Sequence, residues 1–184
     1  MPELVIVRHA DTDWTSSGQH TGRTDIPLNQ TGREAAKRLS GRLARWSFAA
    51  VWSSPLMRAR ETCAIAGYAD GAETNAALEE WDYGAYEGLT TAQIQAQRPG
   101  WDLWRDGCPG GEDAAAVGAR ADAVLRALPA DGDVLAFSHG HFLRVLIARW
   151  LGLDPDWGAL FVIAPGALGA LGYEHGRRVL AELG

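Results

Sequence analysis

The stretch LVIVRHADTDW, residues 4–14, places four apolar residues of high β propensity directly before an arginine and a histidine. A continuous apolar run of this kind is typical of a strand covered on both faces, because a strand with one wet face alternates between apolar and polar residues. Arg8 and His9 therefore fall at the end of a buried strand. Polar side chains at the end of a buried strand indicate a functional site there, in which Arg8 and His9 take part.

A second stretch, DVLAFSH at residues 133–139, repeats this pattern of an apolar strand that ends in a histidine. Further strands are predicted at residues 48–54 and in a hairpin that turns near residues 174–176. Helical periodicity covers residues 29–46, 55–68, 111–128 and 141–153. Alternating strands and helices predict an α/β fold, a three-layer α/β/α sandwich with a mostly parallel central sheet. Ligands bind beyond the carboxyl ends of such strands, so His9 and His139 are expected to face one pocket.

The helix boundaries are predicted from their terminal residues. Thr31, with Glu34 three positions later, fits the capping box of a helix start. Pro55 fits the first position of the following helix. Residues 10–30 are predicted to form a long polar loop, and residues 79–110 an irregular segment with one short helix near residues 90–98.

Length and composition exclude several classes of protein. The 184 residues favour a single domain over residues 1–184, and a net charge of −6 argues against a nucleic-acid binder, which needs a basic face. Two cysteines are too few for a disulfide framework. We see no signal peptide and no apolar run long enough for a membrane span, so a cytoplasmic protein without membrane association is expected. The oligomeric state stays open, with a homodimer as one option.

The charged groups expected at the strand ends suit a phosphoryl group. Arg8 and Arg58 are permanently cationic, and Arg58 falls in the first turn of a predicted helix, whose free N–H groups also attract anions. A neutral imidazole can attack phosphorus, and a second, protonated imidazole can stabilise the negative charge. The leaving oxygen also needs an acid, which the segment LEEWDYGAYEGL at residues 78–89 can supply. Spacing alone does not decide among its four carboxylates, Glu79, Glu80, Asp82 and Glu87.

Four motifs in order resemble the histidine phosphatase superfamily, in its phosphoglycerate-mutase-like branch. They are VRHADTDW at residues 7–14, SSPLMRARET at 53–62, LEEWDYGAYEGL at 78–89 and FSHGHFLR at 137–144. The stretch WTSSGQHTGRTDIPL, residues 14–28, together with SHGHFLR at residues 138–144, is more similar to the small acid phosphatases and sugar-bisphosphate phosphatases of that branch than to its mutases. The resemblance covers nearly the whole chain. It implies a phosphoglycerate-mutase-like fold and a small phosphorylated substrate, with no metal and no cofactor.

The resemblance also assigns roles to individual residues. His9 would be the nucleophile that becomes phosphohistidine, and Glu80 the proton donor and later the base for water. The phosphoryl group would be held by Arg8, Arg58 and His139. The substrate side would be lined by Thr15, Thr21, Gly22, Arg23, Gly140 and His141. Contact with the substrate and a cap on the following helix fit His141 equally well.

The sequence departs from the family pattern at two positions. Ala10 stands where the family has glycine directly after the nucleophile, so a methyl group lowers turnover if that backbone needs a positive φ or a close approach to phosphate. Thr15 replaces the usual asparagine and keeps one hydrogen-bond donor. The two remaining histidines, His20 and His175, are expected to be exposed to solvent.

Two alternatives to a phosphatase stay open at this point. The first is a cofactor-dependent phosphoglycerate mutase, an activity that the resemblance associates with a long insertion between the acid and the second histidine. Here only 59 positions separate Glu80 from His139, which favours water as the phosphoryl acceptor. The second is a catalytically weak phospho-ligand binding protein, for which Ala10 provides the reason.

Overall fold

Strands and helices alternate along the chain in the computed structural model, which describes residues 2–184. The strands are β1 (Leu4–Arg8), β2 (Phe48–Ser53), β3 (Ala72–Thr74), β4 (Asp133–Ser138), β5 (Leu168–Glu174) and β6 (Arg177–Leu183). The α-helices are α1 (Asp13–Ser17), α2 (Gln30–Leu43), α3 (Met57–Ile65), α4 (Thr91–Gln97), α5 (Leu103–Asp106), α6 (Ala114–Arg126) and α7 (Gly140–Trp150). Short 3₁₀ turns cover Ala76–Leu78, Gly84–Tyr86 and Pro155–Leu160. Within residues 2–184, no helix combines the length and apolar character that crossing a bilayer requires.

The six strands form one sheet in the order β3-β2-β4-β1-β5-β6. The strands β3, β2, β4 and β1 run parallel, and the C-terminal hairpin of β5 and β6 adds two antiparallel strands. The register pairs Arg8 with Ser138, so β1 and β4 end side by side. The predicted α/β fold with a mostly parallel sheet is thus confirmed, as is the predicted hairpin.

The apolar run of β1 divides its side chains between the two faces of the sheet. Leu4 and Ile6 pack into the core cluster that includes side chains of α6 and α7. Val5 and Val7 pack on the other face, with side chains of α2 and α3. Successive side chains of a strand point to opposite faces, so burial on both sides requires an apolar residue at every position. The apolar run is therefore continuous because helices cover both faces of the sheet, as the predicted three-layer fold requires.

Both predicted helix starts were wrong, because the caps come from other residues. Helix α2 begins at Gln30, and its cap is Asn29, whose side chain accepts the N–H of Gly32. Helix α3 begins two residues after Pro55, at Met57, whose N–H donates to the carboxylate of Asp25 at 2.6 Å. The predicted loop over residues 10–30 also contains the short helix α1, which a Thr12 capping box starts. Five residues are too few for helical periodicity to reveal such an element.

Two glycines of α2 offer an internal test of the packing. A Cβ on Gly32 would lie 2.1 Å from the backbone oxygen of Asp11, whereas a Cβ on Gly41 would meet nothing within 4 Å. We expect Gly32→Ala to destabilise the protein by at least about 1–3 kcal/mol through overpacking. Gly41→Ala should stabilise it by about 0.5–1 kcal/mol, because alanine loses less backbone entropy in a helix. Urea denaturation of both variants provides the measurement, and equal effects would contradict the packing of α2 against Asp11.

Candidate active site

The two strand-end histidines lie next to each other. His9 follows β1 directly, and its backbone N–H donates to the backbone oxygen of Ser138 at 2.9 Å. His139 follows β4 and takes the N-cap position of α7. The two ring centroids are 5.2 Å apart, and both side chains are buried. Parallel pairing of β1 with β4 thus brings together two residues that are 130 positions apart in the sequence.

The backbone assigns the tautomer of His9. Its Nδ1 lies 2.8 Å from the backbone oxygen of Ala10, which can only accept a hydrogen bond. The proton of a neutral ring must therefore reside on Nδ1, which leaves the lone pair on Nε2. Burial, reinforced by Arg58 and Arg8, holds the pKa of His9 well below its usual value of 6.5. His9 is accordingly neutral near pH 7 and carries a nucleophilic Nε2.

Three buried nitrogen atoms in this region make no hydrogen bond within residues 2–184: Nε of Arg8, Nε of Arg58 and Nδ1 of His139. They belong to the three residues that the family resemblance assigns to the phosphoryl group. Buried polar atoms are nearly always paired, so an unpaired set of potential donors calls for a ligand-based explanation. Oxygen atoms of a bound phosphoryl group are acceptors of the kind that these nitrogens need.

Arg58 also holds the neighbouring loop in place. Its two terminal nitrogens donate to the backbone oxygens of Thr21, Gly22 and Thr24, at 2.8–3.0 Å. The side chain is fully buried, and desolvation by burial lowers its pKa from the ordinary value of an arginine. Arg58 therefore joins the start of α3 to the loop that the sequence places on the substrate side.

A pocket of about 260 Å³ opens beside His9. Its walls include Arg8 and Glu80 and four of the six residues predicted on the substrate side, Thr15, Thr21, Gly140 and His141. Gly22 and Arg23 are not among its lining residues. The N–H of Gly22 binds the Glu87 carboxylate, and Arg23 points into solvent in an ion pair with Asp82 at 3.2 Å. Substrate contact by these two residues is therefore not supported by their positions.

Helix α7 singles out Glu80 among the four carboxylates of residues 78–89. Its Oε1 accepts the N–H groups of Trp81 and Phe142, and its Oε2 accepts the N–H of His141 at 3.1 Å. The free N–H groups of the helix start thus hold this carboxylate in the pocket wall. Oε2 accepts one hydrogen bond and Oε1 two, so Oε2 is the oxygen with room for a proton. The Asp82 carboxylate forms an ion pair with Arg23. The Glu87 carboxylate accepts the backbone N–H groups of Gly22 and Thr24.

An arginine of α6 positions the backbone that carries Glu80. Arg120 donates to the backbone oxygens of Ala77, Glu79 and Glu80, and it pairs with the Glu112 carboxylate at 2.7 Å. Glu112 in turn accepts the N–H of Asp82 at 2.9 Å. Hydrogen bonds from Arg120 and to Glu112 therefore fix the backbone both before and after Glu80.

The substitution of alanine for glycine after His9 does not strain the backbone. Ala10 has no positive φ, and its methyl group packs in a small apolar cluster with Leu28 and Ala36. It is also not one of the residues that line the pocket. Thr15 departs from expectation in another way, because its hydroxyl donates to the backbone oxygen of Thr12 and accepts the N–H of the same residue.

The residues of the pocket wall that sequence reasoning missed include His20, Tyr83 and Arg144. His20, expected to be exposed, is half-buried and stacks on the ring of His141 at 6.0 Å. Tyr83 is buried, and its hydroxyl lies 2.6 Å from His141 Nδ1. Arg144 lies three positions after His141 on α7, a spacing that places two side chains on one helix face. That spacing in FSHGHFLR was the one available signal. His175 is exposed as expected, at the hairpin turn.

Stability should depend steeply on pH because of three buried histidines. Burial is the largest cause that lowers the pKa values of His9, His139 and His141 well below 6.5. Between those lowered values and about 6.5, the unfolded chain binds protons that the folded protein does not, so the free energy of unfolding falls as the pH falls. Three such groups give a slope of up to about 4 kcal/mol per pH unit.

Urea denaturation from about pH 7.5 to about pH 5.5 measures this slope. His141→Asn should remove about one third of it, and replacement of the exposed His175 by asparagine should leave it unchanged. A free energy of unfolding that stays constant over this range would contradict the assignment of three neutral histidines.

Comparison with known proteins agrees with this geometry. The family model of the histidine phosphatase superfamily (branch 1) matches residues 4–184. An acid phosphatase of Mycobacterium tuberculosis is 44% identical over 187 residues, which cover 98% of this chain and 91% of the relative. The sedoheptulose 1,7-bisphosphatase of Saccharomyces cerevisiae is 34% identical over 186 residues, which cover 83% of this chain and 68% of the relative. A solved structure of an open reading frame product of Mycobacterium tuberculosis superposes with a TM-score of 0.93 at 40% identity, over 100% of this chain and 97% of that chain.

Proposed function

Because the chain belongs to the histidine phosphatase superfamily, we propose that it is a phosphomonoesterase that hydrolyses a small phosphorylated metabolite through phosphohistidine. In the first step, Nε2 of His9 attacks phosphorus and the ester bond breaks, while Glu80 gives its proton to the departing alcohol. In the second step, Glu80 takes a proton from water, which attacks phosphohistidine and releases inorganic phosphate. Glu80 is then protonated and His9 is neutral, so both are ready for the next turnover.

The observation that carries this proposal is the orientation of His9. The hydrogen bond from Nδ1 to the Ala10 oxygen leaves Nε2 as the nucleophile, and the lowered pKa keeps the ring neutral. Next to it lie the unpaired donors of Arg8, Arg58 and His139, which would stabilise charge on the transferred phosphoryl group. This set of side chains supplies the nucleophile and the counter-charge of a phosphoryl transfer without a metal ion.

The pocket supports a small substrate. Its volume of about 260 Å³ lies just below the range for drug-sized small-molecule sites, about 300–1,000 Å³. Two of its lining residues, Arg8 and Arg144, are arginines, and Glu80 is the carboxylate that opposes them. An anionic ester is therefore favoured although the protein as a whole is acidic. The names of the two relatives, an acid phosphatase and a bisphosphatase, agree with this substrate class.

The regular backbone of Ala10 removes the reason for preferring a catalytically weak binding protein. We retain a mutase as the alternative to be tested, with hydrolysis as the proposed reaction because of the short segment between Glu80 and His139. The cytoplasmic location stays a prediction.

A turnover assay tests the proposed function. Purified protein is supplied with p-nitrophenyl phosphate and a panel of alkyl phosphate esters, and released phosphate is measured with and without EDTA. We expect hydrolysis that EDTA leaves unchanged and that vanadate, a mimic of the five-coordinate transition state, inhibits. Isomerisation of 3-phosphoglycerate, dependent on 2,3-bisphosphoglycerate and faster than hydrolysis, would identify a mutase. Loss of activity on chelation, restored by zinc or magnesium, would contradict the metal-independent mechanism.

A further inference from the structure

Three neighbouring strands, β2, β4 and β1, end side by side and are followed directly by Ser54, His139 and His9. The backbone N–H of Ser54 continues the pairing of β2 with β4, because it donates to the backbone oxygen of Phe137 at 2.9 Å. The hydroxyl of Ser54 lies 2.8 Å from Nε2 of His139, and both side chains are fully buried. The mechanism derived above uses His139 but gives this contact no role.

The residues that follow Ser54 fix its hydroxyl group. Pro55 restricts the preceding residue to an extended backbone and has no N–H of its own. The next N–H along the chain, that of Leu56, donates to the Ser54 hydroxyl oxygen at 3.3 Å, a local turn that serine favours. This oxygen therefore already accepts one hydrogen bond. Among residues 2–184, Nε2 of His139 is the acceptor within reach of the hydroxyl proton.

These hydrogen bonds select the tautomer of His139. When Ser54 donates to Nε2, the proton of a neutral ring resides on Nδ1, the one polar side-chain atom of this pair that has no partner within residues 2–184. If Nε2 carried the proton instead, the Ser54 hydroxyl would bury an unpaired O–H, and Nδ1 would present a bare lone pair. A buried donor without an acceptor is costly, and a lone pair repels phosphoryl oxygen atoms. The tautomer with the proton on Nδ1 is therefore favoured.

The surroundings of His139 keep its ring neutral and its Nδ1 proton unused. Burial is the largest cause that lowers its pKa well below 6.5, and four neighbouring groups act in the same direction, namely Arg58, His9, Arg8 and Arg120. His139 is the N-cap residue of α7, yet its side chain makes no hydrogen bond to the N–H groups of the helix start. The Nδ1–H group is thus free to donate to a ligand.

We propose that Ser54 is a positioning residue, whose hydroxyl holds the proton of His139 on Nδ1, so that His139 acts on the phosphoryl group as a neutral N–H donor. The permanent positive charge then comes from Arg8 and Arg58. A donor fixed in this way needs no rearrangement of protons when the ester binds. His9 and His139 carry their protons on the same ring atom, but His9 offers its lone pair to phosphorus and His139 its N–H to oxygen. This inference rests on the proposed phosphatase function and adds a positioning residue to that site.

The tautomer is measured in the resting protein by long-range ¹H–¹⁵N correlation spectra. A protonated imidazole nitrogen and one with a free lone pair differ widely in ¹⁵N shift, and the signals of His139 are those that His139→Ala lacks. We expect a neutral ring with its proton on Nδ1 in the wild type and a mixture of the two tautomers in Ser54→Ala. Ser53→Ala is the matched control, because Ser53 is also buried but donates to the backbone oxygen of Ser54 at 3.0 Å. Its spectrum should show the wild-type tautomer.

The effect on the reaction is measured as single-turnover phosphorylation of His9 by p-nitrophenyl phosphate. Ser54→Ala should lower this rate by about 10- to 100-fold, as for loss of a hydrogen bond to a charged group, and Ser53→Ala should keep the wild-type rate. Ser54→Thr, which retains a hydroxyl, should restore most of the rate. In the His139→Ala background, Ser54→Ala should have almost no further effect, because Ser54 acts through His139. This double variant tests the inference even where the methyl group of threonine does not fit.

Two kinds of result would overturn the inference. A wild-type His139 with its proton on Nε2, or with both nitrogens protonated, would exclude a neutral Nδ1–H donor. Equal losses for Ser54→Ala in the wild-type and His139→Ala backgrounds would assign Ser54 to packing alone. Failure of the wild-type protein to hydrolyse any ester would instead overturn the proposed function, and the catalytic part of the inference with it. The spectra need no turnover, so they distinguish the two failures.

Discussion

His9→Ala is expected to lower phosphate release by more than about 10³-fold, since loss of a covalent nucleophile can cost about 10⁶-fold in kcat. The remaining groups of the proposed phosphoryl site, Arg8, Arg58 and His139, would still hold the ester but offer no atom that replaces Nε2. The variant should stay folded, because His9 lies beyond the end of β1 and outside the apolar clusters of the core. Its loss of activity would then result from the missing nucleophile and not from unfolding.

Trapping of the phosphoenzyme measures this directly. Wild-type protein quenched during turnover of a ³²P-labelled ester should carry acid-labile, base-stable phosphate, and His9→Ala should carry none. The control is His175→Asn, which replaces an exposed histidine at the hairpin turn by a residue that tolerates its positive φ. More than about a tenth of wild-type turnover in His9→Ala would refute the covalent mechanism, since a factor of ten corresponds to only about 1.4 kcal/mol of barrier.

Glu80→Gln is expected to affect two kinds of ester very differently. An alkyl alcohol leaves only when it receives a proton, and loss of a positioned general acid costs about 10²- to 10⁴-fold. p-Nitrophenolate leaves without a proton, so the substitution should lower the rate on p-nitrophenyl phosphate far less. Gln also removes one acceptor from the N–H groups of His141 and Phe142, which weakens the start of α7 for both esters alike. The ratio of the two losses therefore reports the acid function alone.

Single-turnover phosphorylation of His9 is the measurement, because it excludes the second step from the rate. Both esters are compared in the wild type, in Glu80→Gln and in Asp82→Asn. Asp82 serves as the control, since its carboxylate pairs with the exposed Arg23 and does not line the pocket. Equal losses on the two esters in Glu80→Gln would remove it from the role of acid. A selective loss in Asp82→Asn would transfer that role to Asp82.

The features that the sequence by itself determined are those that depend on local pattern. The continuous apolar run of residues 4–7 indicates a strand buried on both faces, and the helical stripe of residues 29–46 indicates a helix with one buried face. Hydrophobic periodicity is a property of neighbouring residues, so it needs no knowledge of the rest of the chain. The same is true of the two histidines at strand ends, because parallel strands that belong to one sheet present those ends at one edge. The family and the pocket could therefore be predicted from four motifs.

Only the tertiary structure decided which group stands next to which. Spacing could not choose among the carboxylates of residues 78–89, because the choice depends on the N–H groups of α7, about 60 positions away, which hold Glu80. The carboxylate that accepts the first N–H of α3 belongs to Asp25, which is 32 positions before Met57, so no local signal reveals it. The sequence around His20 is typical of a polar loop. In the structure, its Nδ1 contacts the backbone oxygen of Leu89 and its ring stacks on His141. These contacts join segments that are distant in sequence, and the folding of the whole chain around β1 and β4 is what brings them together.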